Sequence, residues 1–288
     1  MEIIGVDVGN CTTINSKGVI FDSKLTKNKG ITSLSSLEID NQMFYLGAGD
    51  YDTTYRKVEK SSYITLLYGS IALGIDEKNV NLVLGLPISQ YAADKNDLIS
   101  LVLNNQHKKI KINGVSKEIH INDVEVYPEG AVTVPDEFEG VIVDIGGRTT
   151  DCCLIENVNG NRNIEQYISI PLGTLNLYSD FINGINSNYG LDLEEKDAIR
   201  IIKNGLHLDG KLVNLTKELN IFDEFVDNLV SRLKVKYSIR TYDVSVTGGG
   251  GRFLFNLLKE RIPQCILQEN ALTANAEAYE QLGRSIWE

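Results

Sequence analysis

The sequence of 288 residues predicts an α/β protein made of two related halves. The first sign is a near-repeat: residues 6–13 read Val-Asp-Val-Gly-Asn-Cys-Thr-Thr, and residues 143–150 read Val-Asp-Ile-Gly-Gly-Arg-Thr-Thr. The second sign is that each copy follows a short apolar run, at 3–6 and at 141–143, which is typical of a buried strand. A unit that returns after about half of the chain indicates two similar domains.

The later copy lies within residues 140–153 and combines a strand, an acid, a glycine turn and a second strand. A glycine turn lets backbone N–H groups approach a phosphate, and the acid beside this one, Asp144, is suited to hold a hydrated Mg²⁺. Taken alone, the stretch is better explained as an ordinary hairpin. Because Asp7 repeats Asp144 in the first copy, the pair favours two phosphate loops that face each other across a bound triphosphate.

The first half alternates strands and helices. Asn113-Gly114 supplies the positive φ angles of a type I′ turn, and Pro87 separates a buried strand from the helix that follows it. The polar segment 26–42 is predicted as a loop with a short strand. The other predicted elements are an antiparallel meander over 2–24, strands over 43–46 and 81–86, helices over 61–73 and 89–103, and a hairpin over 109–121.

Glu129 follows a strand predicted over 124–127, and the small residues behind it predict the start of a helix. This position places Glu129 at the carboxyl end of a strand, which is the edge where α/β sheets hold ligands. The alternative is a solvated acid in the first turn of a helix, where the helix dipole favours negative charge.

The second half begins near residues 138–140 and repeats the alternation. An apolar stripe of Phe and Leu side chains over 222–233 predicts a long amphipathic helix that belongs to the core. The last helix is expected to cross back towards the first half. The remaining predicted elements are a polar turn over 157–163, strands over 164–170 and 244–247, and helices over 173–185, 193–203, 252–260 and 273–287.

Four consecutive glycines, Gly248, Gly249, Gly250 and Gly251, separate the strand over 244–247 from its helix. A backbone without side chains lets a flat base or a phosphate approach closely. A plain glycine-rich loop is the alternative, although each glycine costs conformational entropy on folding. The run does not fit the G-x-G-x-x-G pattern of dinucleotide-binding proteins, because its third glycine would fall on Phe253.

Composition excludes several classes of function. The net charge of −11 argues against broad direct contact with nucleic acid, so any association with DNA is expected to run through a basic partner. Four cysteines without C-x-x-C spacing indicate neither a zinc site nor a disulfide framework, which fits a reducing cytoplasm. No signal peptide and no apolar run of membrane-spanning length is evident, and no P-loop motif is present. Three scattered histidines, His107, His120 and His207, are expected at the surface.

Three glycine loops in this order, with an acid after the last strand of the first half, resemble the actin-like ATPase superfamily. Within it, the chain is most similar to the bacterial plasmid-segregation actins of the ParM type. The first phosphate loop corresponds to residues 7–11, the second to 144–151 and the adenosine motif to 247–251. Further matches at 86–91, 126–130, 171–173 and 274–283 spread the resemblance over nearly the whole chain.

The resemblance implies a fold of two RNase H-like domains with nucleotide in the cleft between them. The expected domains are 1–138, joined by the C-terminal helix 272–288, and 139–271. Glu129 would position the attacking water, and Asp7 and Asp144 would hold Mg²⁺ through water. The residues expected to bind the nucleotide are Gly9, Asn10, Cys11, Gly146, Gly147, Arg148, Thr149, Glu194, Lys196, Gly248, Gly249, Gly250 and Gly251. Glu194 and Lys196 are included because their helix, with Arg200, resembles the segment that lines the base pocket.

Two features depart from the family. Asn10-Cys11 replaces the small hydroxyl residues usual in the first loop, and the chain is short, which suggests trimmed surface loops. The function implied is an ATPase that polymerises with ATP or GTP and Mg²⁺ in the cytoplasm, and that segregates plasmid DNA through an adaptor of the ParR type. The alternative is a non-polymerising ATPase of the same fold, either a small-molecule kinase or a scaffold of the pilus or division type.

Overall fold

The structure is a computed structural model that describes residues 1–30, 34–158 and 161–288. Over these residues the chain forms a ten-stranded sheet, a five-stranded sheet and a two-stranded hairpin. The strands of the first sheet are β1 Glu2–Val8, β2 Thr12–Asn15, β3 Ile20–Asp22, β4 Lys24–Thr26, β5 Ser36–Ile39, β6 Gln42–Leu46, β7 Asp50–Tyr51, β8 Asn79–Leu86, β9 His107–Ile112 and β10 Val115–Pro128. The strands of the second sheet are β11 Gly140–Ile145, β12 Thr150–Val158, β13 Asn161–Ile170, β16 Asp243–Thr247 and β17 Ile266–Leu267, and the hairpin is β14 His207–Leu208 with β15 Lys211–Leu212.

Seven α-helices pack around the sheets in the described part of the chain. They are α1 Tyr63–Gly74, α2 Ile88–Leu103, α3 Thr174–Tyr189, α4 Ala198–Asn204, α5 Thr216–Lys236, α6 Gly248–Arg261 and α7 Ala274–Trp287. Two short 3₁₀ helices, Lys57–Glu59 and Glu195–Asp197, precede α1 and α4. None of the helices in the described residues combines the length and the hydropathy needed to cross a bilayer.

The two large sheets share one topology. Five strands follow the order β3-β2-β1-β8-β10 in the first sheet and β13-β12-β11-β16-β17 in the second. In both, an antiparallel three-stranded meander continues into two parallel strands. The registers agree as well, because Asp7 pairs with Ile14 and Asp144 pairs with Asp151. The near-repeat in the sequence therefore marks equivalent hairpins, and the predicted α/β fold class is confirmed.

Each large sheet has its own buried apolar cluster. In the first, side chains of β1 and β8, among them Ile4 and Leu82, pack against α1. In the second, side chains of β11 such as Val143 pack with α3, α5 and α6. Helix α5 contributes the apolar stripe over 222–233 to this cluster, as its periodicity predicts. The edge of each sheet that carries Asp7 or Asp144 is thus held by a packed core.

Helix α7, from the end of the chain, packs on β1 and β8 of the first sheet. Glycines make this approach possible, since a Cβ at Gly5 would collide with the Ala276 carbonyl oxygen and one at Gly85 with the Tyr279 hydroxyl. The contact ties residues near the two ends of the chain together. The division into domains at residues 138 and 139 stays a prediction.

The structure corrects several element boundaries. No helix follows Glu129, because Gly130 has a positive φ of 73° and the chain turns through residues 129–134 instead. The hairpin over 109–121 and the strand over 124–127 share one strand, β10, which is irregular between Ile121 and Asp123. Helix α6 begins at Gly248 rather than at residue 252. The helix expected over 193–203 is split into a 3₁₀ turn and α4.

Two predicted segments touch residues that the structure does not describe. The predicted turn over 157–163 includes residues 159 and 160, which lie outside the described residues; β12 reaches Val158 and β13 begins at Asn161. The predicted loop over 26–42 includes residues 31–33, which also lie outside them, and its described part contains β5.

Candidate functional site

The two equivalent hairpins close with the same backbone hydrogen bond. The Gly9 N–H donates to the Thr12 carbonyl oxygen at 3.0 Å, and the Gly146 N–H donates to that of Thr149 at 2.9 Å. The tips of the two loops meet, because a Cβ at Gly147 would lie 2.6 Å from the Cys11 Cβ. A glycine is therefore required where the second loop passes the first, and the two loops form opposite walls of one cleft.

The second loop is fixed from behind by the start of α3. The backbone N–H groups of Thr174 and Leu175 donate to the carbonyl oxygens of Gly146 and Gly147, at 3.1 and 2.8 Å. Gly173 permits this contact, since a Cβ there would lie 2.5 Å from the Gly147 carbonyl carbon. The loop is thereby held in place before any ligand arrives, which lowers the entropic cost of binding.

The glycine run forms the first turn of α6 and packs against β11. Gly248 has a positive φ of 83°, and a Cβ there would collide with an Asp144 carboxylate oxygen. A Cβ at Gly250 would lie 2.5 Å from Ile145 Cγ2. Close packing of helix on strand thus accounts for these two glycines. It also brings the start of α6, whose Gly248 N–H donates to the Ala271 carbonyl oxygen at 2.9 Å, next to Asp144 and the cleft.

The cleft encloses a cavity of about 220 Å³. Asp7, Glu129 and Asp144 line it together with both glycine loops and the start of α6. Twelve of the residues singled out in the sequence share this wall, namely Asp7, Gly9, Asn10, Cys11, Glu129, Asp144, Gly146, Gly147, Thr149, Gly248, Gly249 and Gly250. Residues far apart in sequence are thus brought to one place, as a nucleotide site requires.

Four of the residues singled out lie outside this wall. Glu194 and Lys196 pair with each other at the surface, and each side chain is 69% exposed. Ile199, from α4, reaches the cavity instead. Arg148 points across the cleft, where its guanidinium donates to the Thr53 carbonyl oxygen at 3.4 Å, and Gly251 packs against Val246. A role for these four residues in binding stays a prediction.

Lys57 is a cleft residue that the sequence did not reveal. Its side chain is 1% exposed, and its ammonium forms an ion pair with Glu129 and lies 3.2 Å from Asp7 Oδ1. Burial by itself lowers the pKa of Lys57, but the carboxylates of Glu129 and Asp7 outweigh that effect and hold the pKa above its ordinary value. Lys57 therefore stays charged and neutralises the carboxylates at this end of the cleft.

Glu129 sits at the end of β10, where its backbone N–H donates to the Leu86 carbonyl oxygen at 2.8 Å. Burial raises the pKa of Glu129, although the Lys57 ammonium beside it opposes the shift and favours the ionised carboxylate. A carboxylate whose pKa is raised is a better acceptor for a proton from water. The position at the carboxyl end of a strand agrees with the ligand-binding interpretation, and the solvated first-turn acid is wrong because no helix follows and the side chain is only 12% exposed.

Asp144 is oriented by Asn275 from α7. The Asn275 amide donates to Asp144 Oδ2 at 3.2 Å and accepts from the Gly130 N–H at 2.9 Å, so that one side chain links Asp144 to the turn behind Glu129. Burial raises the pKa of Asp144 to about 7. Burial without a cation disfavours the charged carboxylate, so a cation that enters the cleft would favour its ionised form.

The residues present fit a hydrated Mg²⁺. The cavity wall offers the carboxylate oxygens of Asp7, Glu129 and Asp144, and oxygen is the ligand that Mg²⁺ prefers. In the described part of the chain no group of three His, Cys, Asp or Glu side chains is close enough to bind a metal directly. Binding through retained waters, as expected for Asp7 and Asp144, is the arrangement compatible with this spacing.

Two family models match the sequence. The N-terminal domain of actin-like proteins matches residues 5–131, and the C-terminal domain of MreB-like archaeal actin homologues matches residues 142–260. The chain belongs to the actin-like protein superfamily. Each matched segment of this actin-like chain contains one of the two glycine hairpins. No curated protein has a matching sequence.

Solved structures of other actin-like proteins share the fold. The archaeal actin homologue Ta0583, solved in complex with ADP, has a TM-score of 0.82 at 18% identity, over 99% of this chain and 100% of that one. ParM from Clostridium botulinum, solved as a 15-stranded filament, has a TM-score of 0.81 at 19% identity, over 99% and 100%. The Alp12 filament structure gives 0.70 at 16% identity, over 99% of each chain. At these identities the likeness is one of fold.

Proposed function

We propose that this protein is a Mg²⁺-dependent ATPase that assembles into filaments when it binds ATP or GTP. The observation that carries the proposal is the convergence of Asp7, Glu129 and Asp144 on one cavity between two equivalent glycine loops. Each half of the chain supplies only one of these loops, so a cavity with a loop on each side needs both halves. The structure of a similar protein with ADP supports a nucleotide as the occupant.

The cavity wall suggests how a nucleotide would lie. Leu272, beside Gly249, and the side chains of Ile199 and Tyr178 are hydrophobic parts of the cavity wall, which suit a flat base. The backbone N–H groups of the two glycine loops suit the polyphosphate, and the carboxylates suit a bound cation. The terminal phosphate would then lie nearest Glu129, Asp7 and Asp144.

Hydrolysis would depend mainly on positioning and on charge neutralisation. Glu129 would accept a hydrogen bond from the attacking water and orient it in line with the terminal phosphate. Asp7 and Asp144 would hold Mg²⁺ through water, with Asn275 fixing the orientation of Asp144. The metal, when bound, would neutralise charge on the phosphate oxygens.

Filament formation is supported by two similar structures that were solved as filaments. A cleft formed between two sheets suits closure around a triphosphate, which would favour the assembling shape, and hydrolysis would then weaken the filament. The net charge of −11 suits a basic DNA-binding adaptor of the ParR type, through which a cytoplasmic filament would move plasmid DNA.

Light scattering and negative-stain electron microscopy of the purified protein test this proposal. Samples with Mg²⁺ and ATP, GTP, ADP or no nucleotide are compared, and phosphate release is followed in parallel. We expect filaments only with a triphosphate, together with phosphate release. Phosphate release by a protein that stays monomeric in every sample would favour a non-polymerising ATPase of the same fold, and the absence of both would refute the proposal.

A further inference from the structure

Two buried lysines come from one short segment beside the first glycine loop. Lys57 is 1% exposed and Lys60 is 6% exposed, which is rare for lysine unless a counter-ion is present. The 3₁₀ helix Lys57–Glu59 fixes their backbone, and Lys60 then leads into α1 through a 3.2 Å hydrogen bond from the Tyr63 N–H to the Lys60 carbonyl oxygen. The backbone at both lysines is therefore fixed by hydrogen bonds.

The two lysines differ in how their charge is neutralised. Lys57 faces the carboxylates of Glu129 and Asp7. The ammonium of Lys60 donates to the side-chain oxygen of Asn10, which is a neutral amide. Lys60 forms no ion pair with any carboxylate in the described residues; Asp52 and Glu129 act on it only at longer range.

Lys60 therefore carries a buried charge without a close counter-ion. Burial lowers its pKa to about 8, and the positive charges of Lys57 and Arg148 act in the same direction. A buried charge that lacks a partner destabilises the folded protein. An anion beside Lys60 would remove that penalty, and the cleft next to it is the proposed polyphosphate site.

Asn10 connects Lys60 to that site. Asn10 lies in the first loop and lines the cavity, while Lys60 approaches it from the side of α1. We propose that Lys60, held by Asn10, is a phosphate-binding residue that contacts the polyphosphate of the bound nucleotide. This inference rests on the proposed function, because it takes the occupant of the cleft to be a nucleoside triphosphate.

The proposal and a purely structural role predict opposite changes in the protein without ligand. If Lys60 is there to hold the fold, Lys60→Met lowers the melting temperature. If Lys60 awaits an anion, removal of its charge raises the melting temperature of the apo protein by roughly 2–4 °C, because the uncompensated charge is gone. Lys57→Met is the matched comparison and is expected to lower it, because the carboxylates of Glu129 and Asp7 lose their cation.

Titration calorimetry with ATP and Mg²⁺ provides the second readout. We expect Lys60→Met to weaken binding by about 10- to 100-fold, since a charge-assisted contact to phosphate is lost. Lys60→Arg should recover most of the affinity, and the exposed Lys109→Met should leave it unchanged. Asn10→Ala should weaken binding by about threefold to tenfold, and by much less when Lys60→Met is already present. Unchanged affinity in Lys60→Met would overturn the proposal.

Inorganic tripolyphosphate separates a failure of this inference from a failure of the proposed function. The probe has the phosphate chain but no base, and it cannot support the activity of a nucleotide-specific ATPase. We expect it to raise the melting temperature of the wild-type protein and not that of Lys60→Met. If this holds while ATP is not hydrolysed, Lys60 is a phosphate contact and the proposed function is wrong. Equal stabilisation of both proteins, or of neither, would refute the role of Lys60.

Discussion

Lys57 and Lys60 lie three residues apart and are both buried, yet their charges have opposite consequences. Lys57 is paired with Glu129 and Asp7, so its charge stabilises the cleft without ligand. Lys60 has a neutral amide as its close partner, so its charge is a cost that a bound anion would offset. The free protein and the nucleotide complex should therefore respond differently to the loss of each lysine.

The pH dependence of stability isolates Lys60. Folding lowers its pKa from 10.5 to about 8, so between these values the folded protein binds fewer protons than the unfolded chain. The free energy of unfolding therefore gains a contribution as pH rises through this window, and the penalty from Lys60 is fully present below it. Denaturant titrations of the apo protein should show Lys60→Met more stable than wild type at pH 7.5. The difference should shrink steadily up to pH 10, whereas a constant difference would show that the lysine charge is not its cause.

The glycine hairpins are the elements on which the cleft depends. Gly147 passes within contact distance of Cys11, so a methyl group there would push the two loops apart. We expect Gly147→Ala to weaken nucleotide binding by at least about tenfold while the far-ultraviolet circular dichroism spectrum stays that of the wild type. Fluorescence titration with a labelled ATP analogue measures the effect.

Gly184→Ala is the matched control for that change. Gly184 lies inside α3, and a Cβ there would meet only Glu218 Cγ at 3.7 Å, an ordinary contact. Alanine in a helix interior is favoured over glycine by roughly 0.5–1 kcal/mol, so this variant should bind nucleotide normally and be slightly more stable. Normal binding by both variants would mean that the loops do not need this close contact.

The hairpins could be predicted because their sequence is local and repeated. Asp7 and Asp144 each follow a buried strand and precede a glycine, and the two copies match in register, so position in the chain sufficed to pair them. Residues 140–153 do form a hairpin, as their own sequence predicts. Their place in a cleft follows only from the matching copy at residues 6–13, which forms the opposite wall.

Other site residues could not be predicted because long-range packing places them. Lys57 lies in a polar segment without periodicity, and it is buried by contact with Asp7 and Glu129 from distant strands. Asn275 reaches Asp144 across 131 positions of sequence because α7 returns to the first sheet. The prediction of a helix after Glu129 was wrong because Gly130 has a positive φ. The small residues around it do not indicate this backbone conformation.

At the scale of the whole molecule, the cleft lies between two sheets of the same topology. Each sheet presents one hairpin with an acid at its base, and α7 links the end of the chain back to β1 and β8. A site divided between two such units can open and close around a ligand. Closure would also change the surface through which neighbouring molecules associate. This arrangement is why the proposed ATPase and the proposed filament depend on the same residues.

In the proposed reaction, Glu129 orients and activates water for attack on a triphosphate held between the two loops. Single-turnover hydrolysis of ATP by wild type and Glu129→Ala, with nucleotide affinity measured on the same samples, tests it most directly. We expect the variant to lose about 10²- to 10⁴-fold in rate while it still binds ATP and still forms filaments. Hydrolysis at the wild-type rate by Glu129→Ala would contradict the claim.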